Sequence, residues 1–195
     1  MKPSFRTLGL VTAALLACGA AGLAIGDSDD HDDDDDDRRG GWIESGRDVA
    51  PITNATYAEE CGVCHMAYQP GLLPAAAWQR IMSTEGLADH YGDDASLSED
   101  LSAEIAAYLS TNSADQASRS RSRAFAVGDT GGVNLPRITE TRYFVKEHDE
   151  IPARMVADNA DVGSFSNCNA CHQGAAEGVY NEHRVKIPGF GRWED

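Results

Sequence analysis

The sequence predicts a mostly α chain with extensive loops, its helices wrapped around two large covalently bound groups rather than around a side-chain core. Three observations predict this. Apolar residues recur at helical spacing in several short segments, and no long alternating run marks a strand. Aromatics make up only 7% of the chain and glycine occurs 19 times in 195 residues, so a core of side chains alone would be thin. Finally, Cys61-Gly62-Val63-Cys64-His65 is repeated once, as Cys168-Asn169-Ala170-Cys171-His172.

Each repeat is a CxxCH, the attachment signature of a c-type haem. Two thiols at this spacing sit on one turn of backbone and can add to the two vinyl groups of one haem. The following histidine then lies under the iron as its proximal ligand. Cys61, Cys64, Cys168 and Cys171 are thus the expected attachment points, with His65 and His172 as proximal ligands. A zinc site or a disulfide framework would not explain a histidine after both pairs. Two haem plates also supply the apolar surface that the side chains lack. The chain should therefore fold as holoprotein and poorly without its two haem c groups.

In chain order, Lys2 and Arg6 precede an apolar stretch, Leu8 to Ala17, and small residues through Gly26. Residues 1–26 read as a secretory signal, too short and glycine-rich for a spanning helix. Export suits the haem motifs, because c-type haem is attached outside the cytoplasm in bacteria; the expected location is the periplasm. Cys18, in Leu15-Leu16-Ala17-Cys18-Gly19, resembles the lipidated cysteine of a lipoprotein signal; the alternative is a small apolar residue within a cleaved signal. Residues 27–41 read as an acidic disordered tether, since nine aspartates fall between Asp27 and Asp37 and like charges repel.

Residues 42–115 and 116–195 read as two haem-binding halves. Ala58 to Met66 is expected as a short helix carrying the first CxxCH. Pro74 suits the first position of the next helix, in which Trp78, Ile81, Met82 and Glu85 follow one another and Gly86 is the stop. Ser96 and Glu99 form a capping box ahead of an apolar face of Leu101, Ile105, Tyr108 and Leu109, ending near Asn112. Residues 112–122 read as a linker or loop. Arg119, Arg121 and Arg123 within and beside it are either solvated or placed to pair with a haem propionate. Thr139 to Ile151 reads as a helix with Phe144, His148 and Ile151 on one face, stopped by Pro152. Ser166 is the expected cap of the helix carrying the second CxxCH, and residues 187–195 read as an irregular tail.

The formal charge is -16, and the nine aspartates carry more than half of it. Such a chain is unsuited to nucleic acid, which requires a basic surface. It suits a partner with a basic docking face.

The sixth iron ligand separates an electron carrier from a haem enzyme or a ligand sensor. An iron held from both faces passes electrons; an open one binds small molecules. The candidates are His90, His148, His183, Met66, Met82 and Met155. Met66 follows a proximal ligand directly and lies on the wrong side. Met82 shares an apolar face with Trp78 and Ile81, and Met155 follows a helix break. His90, between Leu87 and Tyr91, is expected on the first iron. His148, on an apolar face, is expected on the second, with His183 as the alternative. Paired histidines would hold both potentials below those of Met/His cytochromes.

The chain resembles the small dihaem cytochrome c family of bacteria from about Tyr57 to Gly189. The resemblance rests on Glu60 to Tyr68, Pro70-Gly71-Leu72-Leu73-Pro74, Trp78, Asp89-His90-Tyr91-Gly92 and Ala95-Ser96-Leu97. It continues through Pro136-Arg137-Ile138-Thr139, Phe144, Glu147-His148, Ile151-Pro152, the second CxxCH and Ile187-Pro188. Tyr143 stands where the family pattern has Trp, a difference of local packing. The resemblance implies a two-haem cytochrome c with bis-His haems that exchanges electrons with another redox protein and is not an enzyme. It implies partners such as a small oxygen-binding haem protein or a membrane b-type cytochrome. The competing readings are a peroxidase-like dihaem enzyme, which would be longer, and a sensor with one open haem.

Overall fold

The computed structural model describes residues 48–127 and 132–193. The expected signal at 1–26, Cys18 and the expected acidic tether at 27–41 lie outside them. The expectation of a mostly α chain with extensive loops holds. Among the described residues, no helix is long and apolar enough to cross a membrane.

Helix α1 is Ala55–Cys61, capped by Asn54, whose side chain accepts from the Tyr57 N–H. It stops at Cys61 instead of running to Met66, so most of the first CxxCH lies in the turn beyond it. Gly62 closes the helix, its N–H donating to the Ala58 carbonyl. A Cβ at Gly62 would sit 2.2 Å from that carbonyl oxygen.

Helices α2 (Ala75–Ile81) and α3 (Thr84–Ala88) replace the single helix expected across Trp78 to Glu85, and Pro74 precedes α2 as its cap. Ser83 causes the break: its hydroxyl accepts from the Gly86 N–H at 3.0 Å and starts a new helix. Gly86 is therefore not a stop. It is buried inside α3, where a Cβ would come within 2.3 Å of the Arg80 carbonyl oxygen. Helix α4 (Glu99–Thr111) is capped by Ser98 rather than Ser96 and ends at Asn112 as expected. Ile105 and Leu109 from its apolar face are almost fully buried.

The stretch 112–122 is not a solvated linker. A 3-10 turn, Ala114–Gln116, leads into α5, Ser120–Phe125, and Ser113, Ala114 and Ser122 have no exposed surface. Their small side chains permit close approach: the Ser122 hydroxyl would lie 2.6 Å from a Cβ at Gly71. A polar composition disguised this packed segment. Helix α6 (Arg142–His148) is shorter than the expected 139–151, because Thr141 caps it, accepting from the Phe144 N–H. Helix α7 (Cys168–Cys171) is a single turn whose N-cap is Asn167, not Ser166. The tail is not wholly irregular: β1 (Lys186–Ile187) and β2 (Gly191–Arg192) pair antiparallel and bury Ile187.

Two apolar clusters organise these elements. One joins Tyr57, Leu73, Ala77, Trp78, Ile81, Ile105 and Leu109, binding α1, α2 and α4. The other joins Val49, Leu72, Ala114, Phe125 and Phe144, binding α5 and α6. Met82 packs against the first cluster.

Candidate functional site

The structure brings the four expected histidines together in two pairs. In the first, the His65 and His90 rings face each other with centroids 6.3 Å apart and planes 13° apart. In the second, His148 and His172 lie 6.1 Å apart with planes crossed at 68°. His183 is in neither pair; its side chain is 83% exposed beside Glu182.

His65 follows the turn that ends α1. Its Nδ1 lies 2.8 Å from the Met66 carbonyl oxygen. A carbonyl only accepts, so Nδ1 carries the proton and Nε2 keeps the lone pair a metal needs. Tyr68 stacks on the same ring at 5.0 Å. His90 sits on a two-residue reversal in which Tyr91 and Gly92 both have positive φ, 58° and 106°. The His90 N–H donates to the Asp93 carbonyl, and the Asp93 N–H donates back. The left-handed conformation is costly for tyrosine. Tyr91 is held in it by its hydroxyl, which donates to the Pro136 carbonyl, and by the Arg137 guanidinium 4.3 Å above its ring.

His148 ends α6. Its Nδ1 lies 2.8 Å from the Phe144 carbonyl oxygen, one turn back. Phe144 stacks on it at 3.9 Å, and Phe165 meets it edge-on at 5.8 Å. His172 follows α7, its N–H donating to the Cys168 carbonyl, and Tyr180 borders its ring at 5.4 Å. Burial lowers the pKa of His90 and His148 and pushes His172 down to about 4, where the neighbouring His148 and Arg121 act in the same direction. These imidazoles are held neutral, the form that binds metal.

The residues fit a haem. An imidazole binds a metal at about 2 Å, so two rings on opposite sides of one ion have centroids roughly 6 Å apart. Both pairs meet that spacing. Among the described residues, no cluster of three or more His, Cys, Asp or Glu is arranged to hold a bare ion. Two axial nitrogens with no further protein donors suit a metal whose other ligands come from a macrocycle. Cys61, Cys64, Cys168 and Cys171 form no disulfide. Burial pushes the thiols of Cys61 and Cys168 up to about 11, so as free thiols they are uncharged.

Sequence reasoning assigned no role to Tyr68, Phe165, Tyr180 or Asp48. Tyr68 and Phe165 each lie three residues from a CxxCH, a spacing that can return a side chain to the motif. Tyr180 and Asp48 offer no such signal.

Residues 57–180 match the family model for dihaem cytochrome c, a span that contains all eight paired or motif residues and excludes His183. Three solved structures are similar. A dihaem cytochrome c from Shewanella baltica is 44% identical, with 73% of this chain and 100% of that chain covered and a TM-score of 0.60. A dihaem cytochrome c from Rhodobacter sphaeroides is 37% identical, covering 68% of this chain and 100% of that one, with a TM-score of 0.55. A second structure from Rhodobacter sphaeroides is 38% identical, covering 67% and 99%, with a TM-score of 0.53. A comparison with curated proteins gives no match.

Proposed function

The chain belongs to the dihaem cytochrome c family and carries two c-type haems; from this we propose that it is an exported electron carrier whose two haems are closed by paired histidines. The observation that carries the proposal is the pair of opposed imidazoles at each motif, 6.3 and 6.1 Å apart.

Each haem supplies a one-electron couple at its iron. The protein's part is to hold that iron still. His65 and His90 would hold the first iron, and His172 and His148 the second. Cys61 with Cys64, and Cys168 with Cys171, would fix each haem to the chain. The Met66 and Phe144 carbonyls orient His65 and His148, and the stacked Tyr68 and Phe144 rings limit their rotation. Two strong ligands kept before and after transfer would leave little to rearrange. Two histidines for each iron would leave no position for a substrate, which disfavours a peroxidase-like or ligand-sensing role.

The secretory character of residues 1–26 supports the periplasm as the location, and Cys18 is the candidate attachment point if the chain is lipid-anchored. The acidic composition supports a redox partner with a basic docking face; the family resemblance is what points to a small oxygen-binding haem protein or a membrane b-type cytochrome.

Carbon monoxide tests the proposal. The reduced wild type should leave it unbound. His90→Ala and His148→Ala should each turn one haem high-spin and open to the gas, and His183→Ala should change neither spectrum. Prompt binding by the wild type would overturn the closed-haem reading.

A further inference from the structure

We infer that Arg121 and Asp48 form a half-buried charge pair that sets the electron affinity of the second haem, the guanidinium favouring the reduced iron and the carboxylate opposing it. This rests on the assignment of His148 and His172 to that haem. Nothing in the electron-carrier reading requires these two residues.

Arg121 projects from α5 toward α6. Its Nη1 donates to the Tyr143 hydroxyl at 3.0 Å, on the helix that ends in His148. Its Nε lies 3.8 Å from Asp48 Oδ1, and both side chains are only 27% exposed. The other Asp48 oxygen accepts from the Tyr180 N–H, and the Tyr180 ring borders His172 at 5.4 Å. The cation therefore approaches the pair through the helix of His148, and the anion through the neighbour of His172. Nε is sealed from solvent yet makes no hydrogen bond. It faces the Asp48 carboxylate at ion-pair rather than hydrogen-bond distance.

Adding an electron to an iron removes one positive charge. A nearby cation favours that step and a nearby anion opposes it, more strongly where water is partly excluded. The first pair has other neighbours: the Arg137 guanidinium lies 4.3 Å above the Tyr91 ring, which meets His90 edge-on at 4.8 Å. The two haems are thus placed in unlike fields by residues of different elements.

Potentiometric titration of purified holoprotein decides the matter, with His148→Ala identifying which component belongs to the second site. Arg121→Gln should lower the potential of that component and leave the other unchanged. Asp48→Asn should raise it, and Arg121→Lys should retain most of the wild-type value. Tyr143→Phe removes a hydrogen bond but no charge and should move it least. A role in packing alone would not give shifts of opposite sign at one haem. If the two charge variants shift that potential in the same direction, shift both haems alike, or shift neither, the inference is overturned while the ligand assignment stands. If His148→Ala leaves both haems low-spin, the assignment falls and takes this inference with it.

Discussion

At the scale of residues, the two histidine pairs differ in one property that an experiment can read. The planes of His65 and His90 are nearly parallel, at 13°, while those of His148 and His172 cross at 68°. Parallel imidazoles act on the same iron d orbital and separate it in energy from its partner. Crossed imidazoles act on both and leave them close. Electron paramagnetic resonance of the oxidised protein should therefore show two low-spin ferric signals, one rhombic and one far more anisotropic. Phe144 holds the crossed geometry by stacking on His148 at 3.9 Å. Phe144→Leu should release that ring, broaden or shift the anisotropic signal, and leave the rhombic one in place. The ligand candidates were legible in the sequence because each histidine lies beside apolar neighbours and follows or precedes a motif by a suitable length of chain. Ring angles were not, since they depend on contacts such as Phe165 against His148 that no spacing records.

At the scale of elements, boundaries were the less legible part, and the reasons are local. Ser96 with Glu99 has the form of a capping box, but the Ser96 N–H is already engaged by the Asp94 carboxylate. Ser98 instead accepts from the Leu101 N–H, at a long 3.4 Å. Ser98→Ala should cost ~0.5–1 kcal/mol in denaturant unfolding, at the lower end of N-cap losses because the bond is long. Ser96→Ala should cost less. The second boundary effect is steric. Gly86 reads as a helix stop, yet it lets α3 turn back against the end of α2. Gly86→Ala would drive a methyl group against the Arg80 and Ile81 carbonyls, 2.3 and 2.8 Å away. Backbone must then move, and a loss of about 1–3 kcal/mol is expected. The segment 112–122 was misread for a related reason. Serine and alanine are solvated where space is open and buried where backbones must approach, and composition does not distinguish the two.

At the scale of the molecule, mostly α character could be read from apolar residues at helical spacing, and two c-type haems from the CxxCH repeats. What could not be read is how residues before 70 and after 165 are joined. Gln69 is fully buried and spends its whole amide on this junction. Its Nε2 donates to the Ala175 carbonyl at 2.6 Å, and its Oε1 accepts from the Tyr180 hydroxyl at 2.6 Å. Tyr68 adds a bond from its hydroxyl to the Ser166 carbonyl, two residues before Cys168, while stacking on His65. The Val49 N–H donates to the Gly178 carbonyl, where a positive φ of 79° and a Cβ position 2.3 Å from the Val49 carbonyl oxygen both call for glycine. A single stretch, Tyr68-Gln69, thus touches His65 of the first histidine pair and the surroundings of the second pair. Gln69→Ala would leave the half-buried Tyr180 hydroxyl without its partner, at roughly 1–3 kcal/mol, while the Ala175 carbonyl keeps the Gly178 N–H. Because the lost bonds lie between the two sites, both should weaken together. Thermal unfolding followed separately through the two low-spin signals should give coincident midpoints in the wild type. In Gln69→Ala both midpoints should fall by the same amount. Separate transitions, or a fall at one haem alone, would mean that the two sites unfold independently and that this junction does not couple them.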